Sequence, residues 1–317
     1  MLSSPAVLPR SFLYVPGNKP ELFAKAAAGA ADALILDLED AVPVGQKDQA
    51  RADVGRWLGD AGQGEAGSGE TGQADAGQAD AGRADGRGDA GASRQQRWVR
   101  LNPESFDRDL HAVTGPALDG VFLAKCSKAV LETAAGVLAE LEIERGLPAG
   151  GIGIIGLIED AAALAGLDDI VRSRRLVTLA LGEVDLLADL RMARTPATEA
   201  ALDSIRTRLV VACAAAGLSA PVAPTSTAIR DTELFLQSGR RLHDLGFRSR
   251  TAIHPSQVEL IHRTFTPDEA AVAAARELLA RFDGQGGGVM VDGEGRLVDA
   301  AVVRAAAETL GRAPAGR

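Results

Sequence analysis

Short aliphatic or β-branched runs alternate with longer Ala-rich windows along most of the chain. The runs at 11–15, 33–40, 98–102, 120–125, 152–159, 177–185, 220–224 and 251–254 predict eight strands. Between them, windows such as 20–28, 130–145, 198–216 and 231–245 have helical character. Eight β units each followed by a helical unit is the count of a (β/α)8 TIM barrel, whereas an open doubly wound sheet has five or six strands.

One stretch breaks this rhythm. Over 62–91 Gly recurs about every third position and QADAG, QADAG and RADG follow one another almost verbatim. Such a segment cannot bury enough apolar surface to offset its chain entropy, so a disordered Gly-rich insertion is expected at about 60–96. The remaining length suits one barrel, 1–282, followed by a helical C-terminal extension, 283–317. Composition agrees. The chain has 317 residues, 46% hydrophobic but only 3% aromatic, so its core must be layered from Ala, Val, Leu and Ile. A net charge of −9 without a dense basic run argues against a nucleic-acid partner. No apolar run approaches the ~20 residues of a membrane span and no leader pattern opens the chain, so a cytoplasmic protein with no membrane partner is expected. Cys126 and Cys213 stand alone and are read as reduced core thiols.

Several predicted strands finish on a polar residue, and a barrel places its active site at strand C-termini. Glu159 closes IGIIGLIE and Asp185 closes VTLALGEVD. Two carboxylates converging on one mouth suit Mg2+, which takes one or two protein carboxylates and fills its shell from substrate and water. Either acid could equally cap the following helix. LDLEDAV adds Asp37, Glu39 and Asp40, with strand alternation putting Asp37 and Glu39 on one face and Asp40 on the other, and at least one expected to cap. In WVRLNP, Arg100 offers a planar fork for a substrate carboxylate or an ion pair with those acids. GGIGIIG enters a strand where a phosphate loop would follow one, and the four His have no zinc spacing.

Taken in order, RSFLYVPGN, ALILDLEDAV, VRLNP, GLIE, LGEVDL and AIHPSQ resemble the motifs of the citrate lyase beta-subunit family, grouped with the malyl-CoA lyases among the HpcH/HpaI aldolases. The resemblance runs from about Arg10 to Ala307. It implies a Mg2+-dependent (β/α)8 carbon–carbon lyase whose acyl-CoA substrate, a 3-hydroxyacyl thioester such as citryl-CoA or malyl-CoA, is cleaved to acetyl-CoA and a small 2-oxo acid. It further implies that Glu159 and Asp185, 26 positions apart, hold the metal and that Arg100 grips the oxo-acid carboxylate. Arg10 and Lys25 would meet the CoA phosphates, with Glu39 and Asp40 near metal and thioester. The segment GVMVDGEGRLVDAAVV resembles a tail that reaches a neighbouring subunit and offers an acid to the acyl group, the place of Asp299, and a homotrimer is implied. Where that tail usually carries Pro, Ala301 stands here, and Asp299 could also simply cap a helix.

The chemistry expected is retro-Claisen cleavage, whose developing enolate needs stabilisation and then a proton, for which Asp299 is the candidate acid. The base for the hydroxyl is not assigned from sequence. Three alternatives stand beside it: a malyl-CoA-type thioester hydrolase, a CoA-independent Mg2+-dependent pyruvate aldolase, and a non-catalytic CoA-binding protein.

Overall fold

The computed structural model describes residues 7–67, 94–284, 290–291, 295 and 297–313. Eight parallel strands close into a barrel in sequence order: β1 (Ser11–Pro16), β2 (Ala33–Asp37), β3 (Gln96–Leu101), β4 (Gly120–Leu123), β5 (Gly153–Ile158), β6 (Leu176–Leu181), β7 (Val222–Ala223) and β8 (Ser249–Ala252). All eight predicted strands are present, several of them shorter than predicted. β2 stops at Asp37 because the Asp37 carboxylate accepts the backbone N–H of Glu39 and Ala41 and turns the chain out of the sheet. β7 is confined to two residues between Pro221 and Pro224, neither of which can donate to a ladder.

The helices are α1 (Phe23–Ala27), α2 (Lys47–Gly67), α3 (Phe106–Val113), α4 (Lys128–Glu144), α5 (Ala161–Ala165), α6 (Leu167–Ile170), α7 (Glu183–Asp189), α8 (Glu199–Ala215), α9 (Thr232–Asp244), α10 (Ser256–Phe265), α11 (Glu269–Gly284) and α12 (Ala300–Gly311). None is long and apolar enough to cross a membrane among the described residues. The expected insertion at 60–96 begins too early. α2 continues through Gly67, where a Cβ at Gly62 would come within 2.9 Å of the Pro116 ring, and β3 already starts at Gln96. The rest of that expectation, 68–93, lies outside the described residues.

Two apolar shells result. Leu34, Leu36, Val99, Leu101 and Val121 face the helices, while Phe12, Ile35, Trp98, Phe122, Ile155, Leu157 and Val222 fill the barrel. With so few rings in the chain, three of them meet in one interior layer: Phe12 packs edge-on against Trp98 and Phe122 at 5.8 and 5.5 Å, and Trp98 against Phe122 at 5.7 Å. Gly120 makes this possible, since a Cβ there would fall 2.2 Å from the Trp98 ring. Because side chains alternate along a strand, the inward positions two residues further on are Tyr14 on β1, Asp37 on β2, Arg100 on β3 and Glu159 just past β5. The interior therefore changes from apolar to ionic on approaching the strand C-termini.

The opposite rim is closed by a polar clasp. Arg10 donates through Nε and Nη2 to Asp32 at 2.8 Å each and through Nη1 to Thr266 at 2.6 Å, and Ser11 Oγ lies 2.8 Å from His262 Nε2. Here β1 pairs with β8, Ser11 opposite Arg250. The short β9 (Met290–Val291) and β10 (Leu297–Val298) pair antiparallel ahead of α12. α12 rests on its own chain, with Arg312 Nη1 donating to the Arg248 carbonyl at 3.1 Å and Glu308 pairing with Arg248.

Candidate active site

Ionic side chains crowd the C-terminal mouth. Arg100 is 11% exposed and forms a fork to Asp37, Nε to Oδ1 at 2.7 Å and Nη2 to Oδ2 at 2.6 Å. Its remaining nitrogen, Nη1, faces Glu39 Oε2 at 2.8 Å and Asp40 Oδ2 at 3.2 Å. The guanidinium lies over the Tyr14 ring, 4.9 Å from its centroid. Asp37, Glu39 and Asp40 thus converge on one cation. The alternation expected of them fails because the strand has already ended at Asp37 and the next residues follow a turn.

Glu159 is buried and accepts the Lys125 N–H at 2.6 Å through Oε1. Lys125, at φ 47°, adopts a left-handed conformation that non-glycine residues use sparingly, and its N–H is spent on this carboxylate. Beside it, Gly182 is bare by necessity: a Cβ there would stand 2.7 Å from Glu159 Cβ and 3.0 Å from Oε2. Asp185 does not close a strand as expected. β6 ends at Leu181, and Asp185 sits exposed in the first turn of α7, where it still lines the same cavity as Glu159.

That cavity holds about 490 Å3 and is lined by Tyr14, Asp37, Arg100, Glu159, Asp185 and Thr251 among others. Acids outnumber bases in it. Beside it, burial pushes Glu39 up to about 7, the Arg100 charge opposing and Asp40 adding to the rise. Glu159 is also raised, mainly by burial and in part by Asp185. No three metal-binding side chains come together among the described residues, and the pair at this cavity that could hold a cation is Glu159 with Asp185. That donor set fits Mg2+.

Other predicted residues are not brought here. Arg10, expected at the CoA phosphates, lies at the N-terminal rim, where Asp32 and Thr266 hold its guanidinium on the side of the barrel away from the mouth. Lys25 is exposed on α1. Asp299 caps α12, its Oδ1 accepting the N–H of Ala301 at 2.8 Å and of Val302 at 3.2 Å, and it does not line its own chain's mouth. Conversely, Tyr14, Gly182, Thr225 and Thr251 line the cavity without having been singled out from sequence. Only Tyr14 carried a signal, lying two positions beyond the inward Phe12.

A family model, HpcH/HpaI aldolase/citrate lyase, matches residues 10–63 and 84–255. The chain belongs to this family. It is 32% identical to an L-malyl-CoA/beta-methylmalyl-CoA lyase of Cereibacter sphaeroides over 95% of this chain and 93% of that one. It is 31% identical to a citrate lyase subunit beta-like protein of Deinococcus radiodurans over 94% and 95%. Among solved structures, protein CitE of Mycobacterium tuberculosis in complex with magnesium, acetoacetate and coenzyme A superposes with a TM-score of 0.68, at 26% identity, over 96% of this chain and 97% of that one. As a member of the HpcH/HpaI aldolase/citrate lyase family the chain is a lyase on a (β/α)8 barrel with C-terminal helices.

Proposed function

We propose that this enzyme is a Mg2+-dependent carbon–carbon lyase that cleaves a 3-hydroxyacyl-CoA thioester of citryl-CoA or malyl-CoA type into a shorter acyl-CoA, such as acetyl-CoA, and a 2-oxo acid. The observation that carries this reading is the meeting of an arginine fork and a pair of carboxylates at one mouth, Arg100 with Glu159 and Asp185. The pairing of magnesium, an oxo acid and coenzyme A in the CitE complex supports it.

Glu159 and Asp185 would hold the cation, which when bound supplies Lewis-acid polarisation and a template for the oxo-acid end. Arg100, anchored by Asp37, presents Nη1 to the substrate carboxylate and displaces Glu39 and Asp40 from that nitrogen. Glu39 is suited to accept the hydroxyl proton, since its carboxyl titrates near neutral pH. As that proton leaves, the bond between the carbinol carbon and the carbon alpha to the thioester breaks, its electron pair forming the enolate. A proton returned to the alpha carbon completes the acyl-CoA. In this reading the donor is Asp299 of a neighbouring subunit in a homotrimer. Because the Val302 and Ala301 N–H groups hold its carboxyl below the ordinary range, it is reloaded through solvent with the proton that Glu39 took up, and 283–317 is an intersubunit extension to the 1–282 barrel.

The test is turnover of citryl-CoA, malyl-CoA, methylmalyl-CoA and citramalyl-CoA with Mg2+ and with EDTA. Stoichiometric oxo acid and acyl-CoA, abolished by EDTA, is the expected result. Release of free CoA without oxo acid would identify a thioester hydrolase, and cleavage of CoA-free substrates an aldolase.

A further inference from the structure

Behind the mouth lies a second cavity of about 780 Å3, bounded by α8, α9 and the loop that follows β7. It shares Glu183, Val184 and Thr225 with the first. Of its lining acids, Glu183 pairs with Arg194 and Arg206 and Glu199 with Arg206 and Arg241, while the exposed Asp244 lies 3.9 Å from His243 and pairs with no arginine among the described residues. Two lining arginines are left over. Arg240, exposed on α9, forms no ion pair among the described residues.

Arg250 is the more telling. It is 2% exposed on β8, turned away from the barrel interior, and no carboxylate touches it. Nε donates to the Pro224 carbonyl at 3.1 Å, and Nη1 to the Phe235 carbonyl at 3.2 Å and Ser238 Oγ at 3.0 Å, with the guanidinium 4.1 Å from the Phe235 ring centroid. Nη2, carrying two N–H donors, has no acceptor among the described residues. Burial lowers this arginine to about 10, still well above neutrality, so the charge persists. A buried charge with no carboxylate in contact is costly even with Glu183 nearby, and an anion in the cavity would offset that cost. The adjoining wall, Thr225, Ser226 and Thr227, adds hydroxyl donors. Loops after strands seven and eight are also where (β/α)8 barrels hold phosphate.

We propose that this cavity binds the phosphate group of a small molecule, with Arg250 Nη2 and Arg240 as its cationic partners and the 225–227 hydroxyls completing the site. The phosphate could be carried by a free phosphorylated metabolite or by the nucleotide end of CoA. Calorimetric titration of pyrophosphate and of adenosine 3′,5′-bisphosphate into the full chain in EDTA, which keeps Mg2+ chemistry at the first cavity out of the measurement, separates the two sources. Saturable pyrophosphate binding, weakened about tenfold or more in both Arg250→Gln and Arg240→Ala, is expected from the loss of a charge-assisted hydrogen bond. If CoA is the source, the bisphosphate competes with pyrophosphate and is weakened by the same variants; if a free metabolite is, its binding is untouched by them. Arg240 is exposed, so Arg240→Ala carries the test even where Arg250→Gln does not fold. Absence of saturable pyrophosphate binding, or wild-type affinity in Arg240→Ala, would overturn the proposal.

Discussion

At the scale of single residues the mouth is a balance of charges that one change can tip. Glu159→Gln and Asp185→Asn each remove one anionic ligand, and both should weaken Mg2+ binding by at least tenfold by calorimetry and abolish most turnover while the fold persists. Gly182→Ala should do similar damage without touching a charge, because its methyl would occupy the space of Glu159 Cβ; wild-type metal affinity in that variant would show that the glutamate can move freely. Arg100→Lys keeps the charge but loses the fork to Asp37, so stability should fall by about 1–2 kcal/mol along with turnover, read by denaturant melts and steady-state kinetics. Glu39 ties stability to pH. Its folded carboxyl titrates near 7, above the ordinary 4.5, so the folded chain binds that proton more tightly. The stabilisation is complete below about 4.5 and lost as pH rises through about 7. The metal-free wild type should therefore lose more melting temperature between pH 5 and pH 8 than Glu39→Gln; parallel curves in EDTA would remove Glu39 from this role.

At the scale of elements, what the sequence made legible was the alternation of short apolar runs with Ala-rich windows, because a parallel barrel strand buried on both sides shows as a continuous run. Run length was not legible. The predicted strands over 33–40 and 177–185 ran past the real ends since apolar residues continue into the turn and into α7, and only the Asp37 carboxylate and Gly182 mark where the ladder stops. The same limit explains the site. Arg100 and Glu159 could be read from strand-end position, but their partners Asp37 and Lys125 depend on neighbouring strands that pattern cannot register. Arg10 was misplaced for a related reason: its motif abuts β1, but on the N-terminal side of it. The ends of α2 and β3 on either side of 68–93 also face that rim. Replacing 68–93 by a short Gly/Ser linker should leave melting temperature and turnover nearly unchanged, loop closure depending only weakly on length; insolubility or loss of most turnover would assign the segment a structural part.

At the scale of the whole molecule, Asp299 divides the questions of fold and assembly. Within one chain it is a helix cap, and the proposed intersubunit arrangement is what would bring it to a mouth. Asp299→Ala and Arg100→Ala subunits, each nearly inactive alone, should regain part of the activity when mixed and exchanged, since some mouths then combine intact residues from two chains. Mixtures that exchange subunits yet stay inactive would leave Asp299 as a cap only.

The clasp at the N-terminal rim sets a timetable for synthesis. β1 meets its partner β8 through Ser11–Arg250, Phe12–Thr251 and Leu13–Ala252, and Arg10 reaches Thr266 still later. At about 5–20 residues per second a ribosome needs roughly 12–50 s to travel between the two strands. For that interval the first strand emerges with one edge unsatisfied, able to pair with any other extended chain nearby. The last fifth or so of the polypeptide is thus what withdraws the first strand from aggregation, and newborn chains halted before residue 249 are the form of this enzyme most in need of a chaperone.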